Sequence, residues 1–168
     1  MEFSNIEILQ LPDVSKLTFK SIHKDYLKVL VFTTFTVFMM IFLALFLLAF
    51  NVEKIASYPY LNYLYFSIVF VFLFVLSWLL IGFSRRKYTL RDKDVTYKSG
   101  VLIKTITTVP FSRIQHVEIN EAPISRVFKL AALNVFTAGD SSDDLVIKGI
   151  KKEEALRIKE FITQQING

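Results

Sequence analysis

Residues 29–50 read VLVFTTFTVFMMIFLALFLLAF, a run of 22 residues without a charged side chain. A second uncharged run, residues 60–83, reads YLNYLYFSIVFVFLFVLSWLLIGF and is 24 residues long. About 20 apolar residues are enough for a helix to cross the hydrocarbon core of a bilayer. The nine residues between the two runs leave room only for a tight connection. We therefore predict a hairpin of two transmembrane helices over residues 29–83, with spans at 29–50 and 60–83.

The distribution of basic residues predicts the orientation of this hairpin. Loops rich in Lys and Arg stay on the cytoplasmic side of a membrane. The connection between the runs holds only Lys54, which predicts a multi-pass protein with both termini in the cytoplasm. Basic residues are frequent outside this connection. Before the first run they are Lys16, Lys20, Lys24 and Lys28, and after the second run they are Arg85, Arg86, Lys87, Arg91, Lys93 and Lys98.

The chemistry of the side chains argues against catalysis and transport. Neither run contains an acid, a base or a histidine, and ion pathways and proton relays need such groups within the membrane. The whole chain has no cysteine and two histidines, His23 and His116. Because a metal site needs several converging ligands, we predict no metal, no cofactor and no enzymatic activity.

Residues 1–28, which precede the first run, allow two interpretations. Apolar residues such as Phe19, Ile22 and Tyr26 are interleaved with lysines, as in an amphipathic helix that lies in the membrane interface. A short solvated lead-in explains the same pattern equally well. The sequence leaves both interpretations open.

Residues 84–168 have the pattern of a domain outside the membrane, with 15 Lys or Arg and 10 Asp or Glu. Runs rich in β-branched residues, including 101–109 and 144–148, are separated by turn residues and predict six or seven antiparallel strands. An amphipathic helix over 151–166 follows, and a small sheet must cover its apolar face. We predict an α+β fold, a barrel or sandwich capped by the C-terminal helix. The capping face consists of Ala155, Ile158, Phe161, Ile162 and Ile166.

Several short motifs in this domain occur together in a known family. They are YTL at 88–90 with Val95 and Gly100, VPFSRIQHV at 109–117, ISRVF at 124–128 and TAG at 137–139. In this combination, residues 84–166 resemble the bacterial pleckstrin-homology-like (PH-like) family of the YdbS/YdbT type, and the two preceding runs match its short, YdbS-like members. One departure is Lys129, where the family often has glycine.

The resemblance implies a seven-stranded PH-like barrel with a capping helix, in a protein of the bacterial inner membrane. It implies no catalytic activity and no established ligand. Family members are often encoded as pairs, and some are linked to resistance against antimicrobial peptides.

Five basic residues are the candidate site. Arg113 and Arg126 each follow a serine at the boundary of an element, where arginine suits a phosphate or carboxylate of a ligand or partner. The alternative is that each pairs with a local acid or caps a carbonyl. Arg85, Arg86 and Lys87 form a cluster at the membrane surface. This cluster is a topology signal, a contact for anionic lipid worth about 1 kcal/mol per basic residue, or both. No basic stripe or stacking motif accompanies it, so we predict no nucleic-acid binding.

The function predicted from the sequence is that of a membrane-tethered PH-like binding or assembly module at the cytoplasmic face. Its expected partners are the lipid bilayer and a protein, either a family paralogue or a second copy in a homo-oligomer. Such a module would scaffold a membrane protein complex, for which envelope stress and antimicrobial-peptide resistance are candidate processes. Two alternatives stay open: a module that recognises anionic lipid, and an accessory subunit of a transporter.

Overall fold

Two long helices form the apolar half of the computed structural model, which describes residues 18–139 and 144–167. Helix α1 covers Asp25–Asn51, a short helix α2 covers Glu53–Ala56, and α3 covers Leu61–Arg85. Both α1 and α3 are long and apolar enough to cross a membrane. Aromatic side chains hold the pair together, since the Phe72 ring lies 5.3 Å from that of Phe38 and the Tyr65 ring 5.1 Å from that of Phe42.

The second half of the chain folds into two antiparallel sheets and a final helix. The strands and the final helix are β1 Lys20–Ser21, β2 Lys87–Leu90, β3 Asp94–Ser99, β4 Thr105–Pro110, β5 Ile114–Asn120, β6 Leu130–Thr137, β7 Leu145–Lys151 and α5 Lys152–Asn167. The first sheet has four strands in the order β1-β2-β3-β4, and the second has three in the order β5-β6-β7. A 3₁₀ turn at Phe111–Arg113 joins the sheets, and a short helix, α4, lies at Pro123–Val127.

The core lies between the two sheets and α5. Alternate residues of β6 and β7 point inward, so that Leu133 and Ile147 have no exposed surface. Helix α5 contributes Ala155, Ile158 and Ile162, all buried. The predicted capping helix and the sandwich are therefore confirmed. Within the described residues the two sheets do not close into a barrel by hydrogen bonds.

The lead-in to α1 belongs to the folded domain. From residue 18 to 24 it forms no helix, and Lys20–Ser21 pairs with Tyr88 and Lys87 of β2 as strand β1. Ile22 follows and is buried in the core. Residues 1–17 of the lead-in and the turn at 140–143 lie outside the described residues, and the division of the chain into domains at 28 and 83 stays a prediction.

Two strands differ from the sequence-based prediction. The strand predicted at 101–109 begins only at Thr105, because Gly100 adopts a left-handed conformation (φ 106°) and turns the chain. The last strand does not end before Gly149 but continues to Lys151. Gly149 (φ 84°) is the extra residue of a β-bulge, since its neighbours Lys148 and Ile150 pair with the consecutive residues Ala132 and Ala131 of β6.

Candidate functional site

A crevice runs between the long helices and the outer face of the second sheet. It consists of two cavities of ≈430 and ≈640 Å³, and Leu79, Val146 and Lys148 line both of them. The helix wall is mainly apolar, with residues such as Val29 and Leu30 of α1. The sheet wall is partly polar. The crevice is therefore amphipathic and lies where the apolar helices meet the folded domain.

The polar side chains of the sheet wall are Asn120, Asn134 and Lys148. Asn120 on β5 and Lys148 on β7 both pair with Ala132 of the central strand β6. Neighbouring strands lie about 4.8 Å apart, so these two positions are about 10 Å apart by the same spacing, on either side of a small alanine. The sheet wall therefore presents two amide groups and one ammonium group around the small side chain of Ala132.

Arg86 faces the crevice, whereas Arg85 and Lys87 line a different cavity. The reason is local: the backbone is extended at Arg86 (ψ 114°) and β2 begins at Lys87, and successive side chains of an extended chain point to opposite sides. The Arg86 guanidinium lies 6.0 Å from the centroid of the Tyr26 ring, at the limit of a cation–π contact. Burial raises the pKa of Tyr97, another lining residue, so its hydroxyl stays protonated at neutral pH.

The other cavity, the basic pocket, lies where α3 ends and the first sheet begins, and has a volume of ≈190 Å³. Among the described residues its lining has four cations and no acid. Lys87 and Lys98 are directly opposite each other in β2 and β3, a placement that is destabilising for like charges. The lining consists of Ser84, Arg85, Lys87, Lys98, Ser99, Gly100 and Lys104.

Glu154 of α5 joins the lead-in to the first sheet. Its Oε1 accepts hydrogen bonds from Lys20 Nζ at 2.6 Å and from the Tyr88 hydroxyl at 2.5 Å. Burial raises the pKa of Glu154, but these two hydrogen bonds and the positive charges of Lys20 and Arg157 together outweigh it and lower the pKa. Burial, together with the adjacent carboxylate, raises the pKa of Tyr88. Strands β1 and β2 and helix α5 therefore share one charged junction.

Arg113 and Arg126 lie elsewhere. Arg113 ends the 3₁₀ turn, where its carbonyl oxygen accepts a hydrogen bond from the Ala138 amide at 2.8 Å, and Arg126 lies in the last turn of α4. Both residues are exposed, and neither lines the crevice or the basic pocket. Their role as ligand or partner contacts stays a prediction.

Sequence reasoning missed the lysines that complete these cavities. Lys98 and Lys104 are 11 and 17 residues beyond Lys87, and the pairing of β2 with β3 is what brings Lys98 beside it. Lys148 follows the alternation of β7, in which Leu145 and Ile147 are buried and Val146 and Lys148 are exposed. That alternation was a usable signal for an outward lysine, although it did not identify what the lysine would face.

The sequence of this chain matches the sequence model of a known family. In the structure the same chain forms two long helices, two antiparallel sheets and a capping helix. The model described as Bacterial PH domain matches residues 27–166, which is most of the chain. This chain belongs to the bacterial PH domain family. The match begins within α1, so the family pattern includes both long helices as well as the sheets.

Two relatives place this bacterial PH domain in the YdbS/YdbT group, and the resemblance noted above is confirmed. The chain is 27% identical over 78 residues to UPF0699 transmembrane protein YdbS of Bacillus subtilis (strain 168), an alignment that covers 46% of the chain and 47% of the relative. It is 28% identical over 97 residues to UPF0699 transmembrane protein YdbT of the same organism, covering 57% of the chain and 19% of the relative. The match thus spans about half of YdbS and a fifth of YdbT.

A solved structure is also similar. It is the crystal structure of a DUF1696 family protein with a pleckstrin-homology domain from Shewanella loihica PV-4, with 23% identity and a TM-score of 0.39. The similarity covers 50% of this chain and 73% of the other. Together with two relatives named as transmembrane proteins and two helices of membrane-spanning length, the family assignment describes a transmembrane protein with a PH-like domain.

Proposed function

We propose that this chain is a membrane-tethered assembly module whose crevice receives a segment of a protein partner embedded in the same membrane. In this proposal α1 and α3 both span the bacterial inner membrane, and the PH-like domain lies against its cytoplasmic face. The observation that carries the proposal is the crevice itself, which opens between the apolar helices and a partly polar sheet face, near the ends of α1 and α3 that join the domain.

The attachment of the domain to the helices supports this role. Only Arg86 separates the end of α3 from the start of β2. At the other helix, Tyr26 and Val29 of α1 are buried in the core of the domain. The domain is therefore held in one orientation, and a partner in the same membrane would meet the crevice at a fixed height. Confinement of both partners to one membrane raises their effective concentration, so that weak contacts are sufficient.

The chemistry of the crevice favours a polypeptide as its occupant. The amides of Asn120 and Asn134 offer both donors and acceptors, which match the N–H and C=O groups of a backbone. Lys148 is the single cation of the larger cavity among the described residues, whereas the smaller cavity adds Arg86. A segment that leaves the membrane beside α1 would present apolar side chains to the helix wall and its backbone to the sheet wall.

A photocrosslinking experiment in native membranes tests this proposal. The full-length chain would carry p-benzoylphenylalanine in place of Val146, which lines both cavities and is 41% exposed. We expect a protease-sensitive adduct of one reproducible mass, and its loss when Lys148→Glu is introduced. Two differently tagged copies of the chain distinguish a homo-oligomer from a pair of different proteins.

The matched control places the same amino acid at Leu156, which is 50% exposed on α5 and does not line the crevice. An equal adduct from position 156 would mean that the adduct reports crowding, and the proposal would be wrong. Adducts with lipid alone at position 146 would also contradict it and would favour lipid recognition in the crevice.

The proposal describes a binding protein without catalytic activity. The described residues contain no group of three or more His, Cys, Asp or Glu side chains that could hold a metal ion. Among these residues, every charged side chain that lines the crevice or the basic pocket is Lys or Arg. We further propose envelope stress, including exposure to antimicrobial peptides, as the process that the assembly serves. A deletion strain should then be more sensitive to cationic peptides, and complementation with the Lys148→Glu variant should fail to restore resistance.

A further inference from the structure

The turn between β3 and β4 ends in two apolar side chains that no described part of the protein covers. We call residues 100–103 the hairpin tip. Leu102 is 80% exposed and Ile103 is 81% exposed, as much as Phe50 near the end of the apolar helix α1 at 80%. The left-handed conformation of Gly100 produces this turn, and a side chain at that position would overlap the carbonyl oxygen of Ile103. The tip is thus a tight turn that displays two large apolar groups.

The hairpin tip lies beside the end of α3 that joins the domain. Val101 packs so close to Gly82 that a Cβ added to the glycine would be 3.2 Å from Val101 Cγ2. Residues Ser99, Gly100 and Val101 line one cavity together with Trp78. Gly82 is three residues before the end of α3, which is about 4.5 Å along the helix axis. The tip therefore reaches back alongside the apolar part of α3.

The basic pocket adjoins this tip, because Ser99 and Gly100 line it as well. Its four cations come from the end of α3, from β2, from β3 and from the residue after the tip. Lys98 and Lys104 flank the tip on its two sides. An apolar tip beside a cluster of cations matches the layers of a membrane, in which acyl chains lie beneath anionic phosphates.

We propose that the hairpin tip and the basic pocket form a third membrane contact, in which Leu102 and Ile103 insert into the bilayer interface and the pocket holds the phosphate of an anionic phospholipid. A bound phosphate would relieve the repulsion between the facing lysines 87 and 98. The contact would also reinforce the orientation that α1 and α3 give the domain, because the tip would be a third point of attachment. The site borders the crevice, because Ser99 and Gly100 line both the basic pocket and the smaller crevice cavity. Its four cations and its two inserting side chains do not line the crevice, so each of the two proposals can fail without the other.

The absence of cysteine from the chain makes a direct test possible, because one introduced cysteine gives one label. The full-length Ile103→Cys variant would carry an environment-sensitive nitrobenzoxadiazole label and would be reconstituted in nanodiscs with doxyl-labelled lipids. The control is Asp92→Cys in the exposed turn between β2 and β3. That turn is at the other end of β3, whose six residues span about 20 Å. We expect a blue-shifted emission and strong quenching at position 103, and neither at position 92.

The same label tests whether the basic pocket binds the phosphate of an anionic lipid. Doxyl-labelled phosphatidylglycerol should quench position 103 more strongly than doxyl-labelled phosphatidylcholine at equal mole fraction. The double variant Lys98→Gln/Lys104→Gln should weaken this preference by about fivefold for each charge removed, whereas Lys93→Gln/Lys159→Gln, which removes two exposed charges elsewhere, should leave it unchanged. Millimolar inorganic phosphate should not compete, because the proposed ligand is a lipid.

Three outcomes would overturn the proposal. Equal quenching at positions 103 and 92 would show that the tip does not insert. Equal quenching by the two lipids, unaffected by the lysine variants, would show that the basic pocket holds no lipid phosphate. A label at position 103 that is shielded from aqueous iodide in native membranes, and yet not quenched by doxyl lipids in nanodiscs, would show that a protein covers the tip.

Discussion

Replacement of Gly149 by alanine should loosen the attachment of the long helices to the domain. Gly149 has a φ of 84°, and a Cβ at this position would lie 2.5 Å from Cγ and 2.8 Å from Cβ of Tyr26. These atoms are at the base of the Tyr26 side chain, in the first turn of α1. The Cβ position is fixed by the backbone, so a change of side-chain rotamer does not relieve that contact and the helix itself must shift. The carbonyl oxygen of Gly149 also accepts a hydrogen bond from the His23 amide at 2.8 Å.

Two contributions set the size of the effect. A left-handed conformation costs a residue with a Cβ about 1–2 kcal/mol. Displacement of Tyr26, which is 7% exposed, loses part of the roughly 1.5–3 kcal/mol that burial of a large side chain contributes. We therefore expect Gly149→Ala to lower the free energy of unfolding by about 2–4 kcal/mol, which for a chain of this size is a fall in Tm of roughly 5–15 °C.

The assay is thermal unfolding of the detergent-solubilised full chain, followed by the fluorescence of Trp78, the single tryptophan, which lines the crevice. Gly82→Ala is the matched control, because Gly82 is helical and its added Cβ meets only the end of the Val101 side chain. The control should change stability by less than about 1 kcal/mol. In the Tyr26→Ala background, Gly149→Ala should cost about 1–2 kcal/mol less than in the wild type. An unchanged Tm for Gly149→Ala, or strictly additive effects of the two substitutions, would refute this account of the junction.

The remaining predictions concern the capping helix, the charged junction and the topology. Ile162→Asp buries an unpaired charge at a fully buried position and should destabilise the chain by about 3 kcal/mol or more, whereas Leu156→Asp on the exposed side of α5 should not; equal Tm values for the two variants would contradict the capping arrangement. The pKa of Glu154 is lowered from 4.5, so its stabilising contribution is complete above pH 4.5 and is lost as the pH falls through the lowered value. Glu154→Gln should therefore flatten the dependence of Tm on pH in that range, and a curve parallel to the wild type would argue against the junction. Reporter fusions at the C-terminus and within residues 52–57 should report opposite sides of the membrane, with the C-terminus cytoplasmic; a reporter that is active outside the cytoplasm at the C-terminus would reverse the proposed orientation.

The features that the sequence predicts well are those with a local cause. The two apolar runs need no partner to be recognised, because length and lack of charge are properties of the run itself. The amphipathic face of α5 follows from the 3.6-residue period in the same way, and Ala155, Ile158 and Ile162 are buried as that period predicts. The strands at β2, β3 and β5 were also recognisable, since turn residues bound each of them.

Other features depend on contacts between distant positions. Strand β1 is two residues long and pairs with a strand more than 60 residues away, so no local pattern marks it as part of the sheet. Lys129 adopts a left-handed conformation (φ 54°), and its amide and carbonyl groups are held by hydrogen bonds to Arg126 and Lys152. Residue propensities favour glycine in that conformation, but the hydrogen bonds of the surrounding structure hold a lysine in it.

The sequence alone thus determines that this protein has two membrane-length helices, a compact β-rich domain and a capping helix, because each of these follows from hydrophobicity and periodicity along the chain. Only the tertiary structure decides that the lead-in completes a sheet, that α1 packs on the bulge at Gly149, and that the basic residues separate into the crevice and the basic pocket. The physical reason is register: the pairing of Lys87 with Lys98, and of Asn120 and Lys148 with Ala132, is set by the folding of whole strands against each other. A one-residue shift in that pairing would send every one of these side chains to the opposite face.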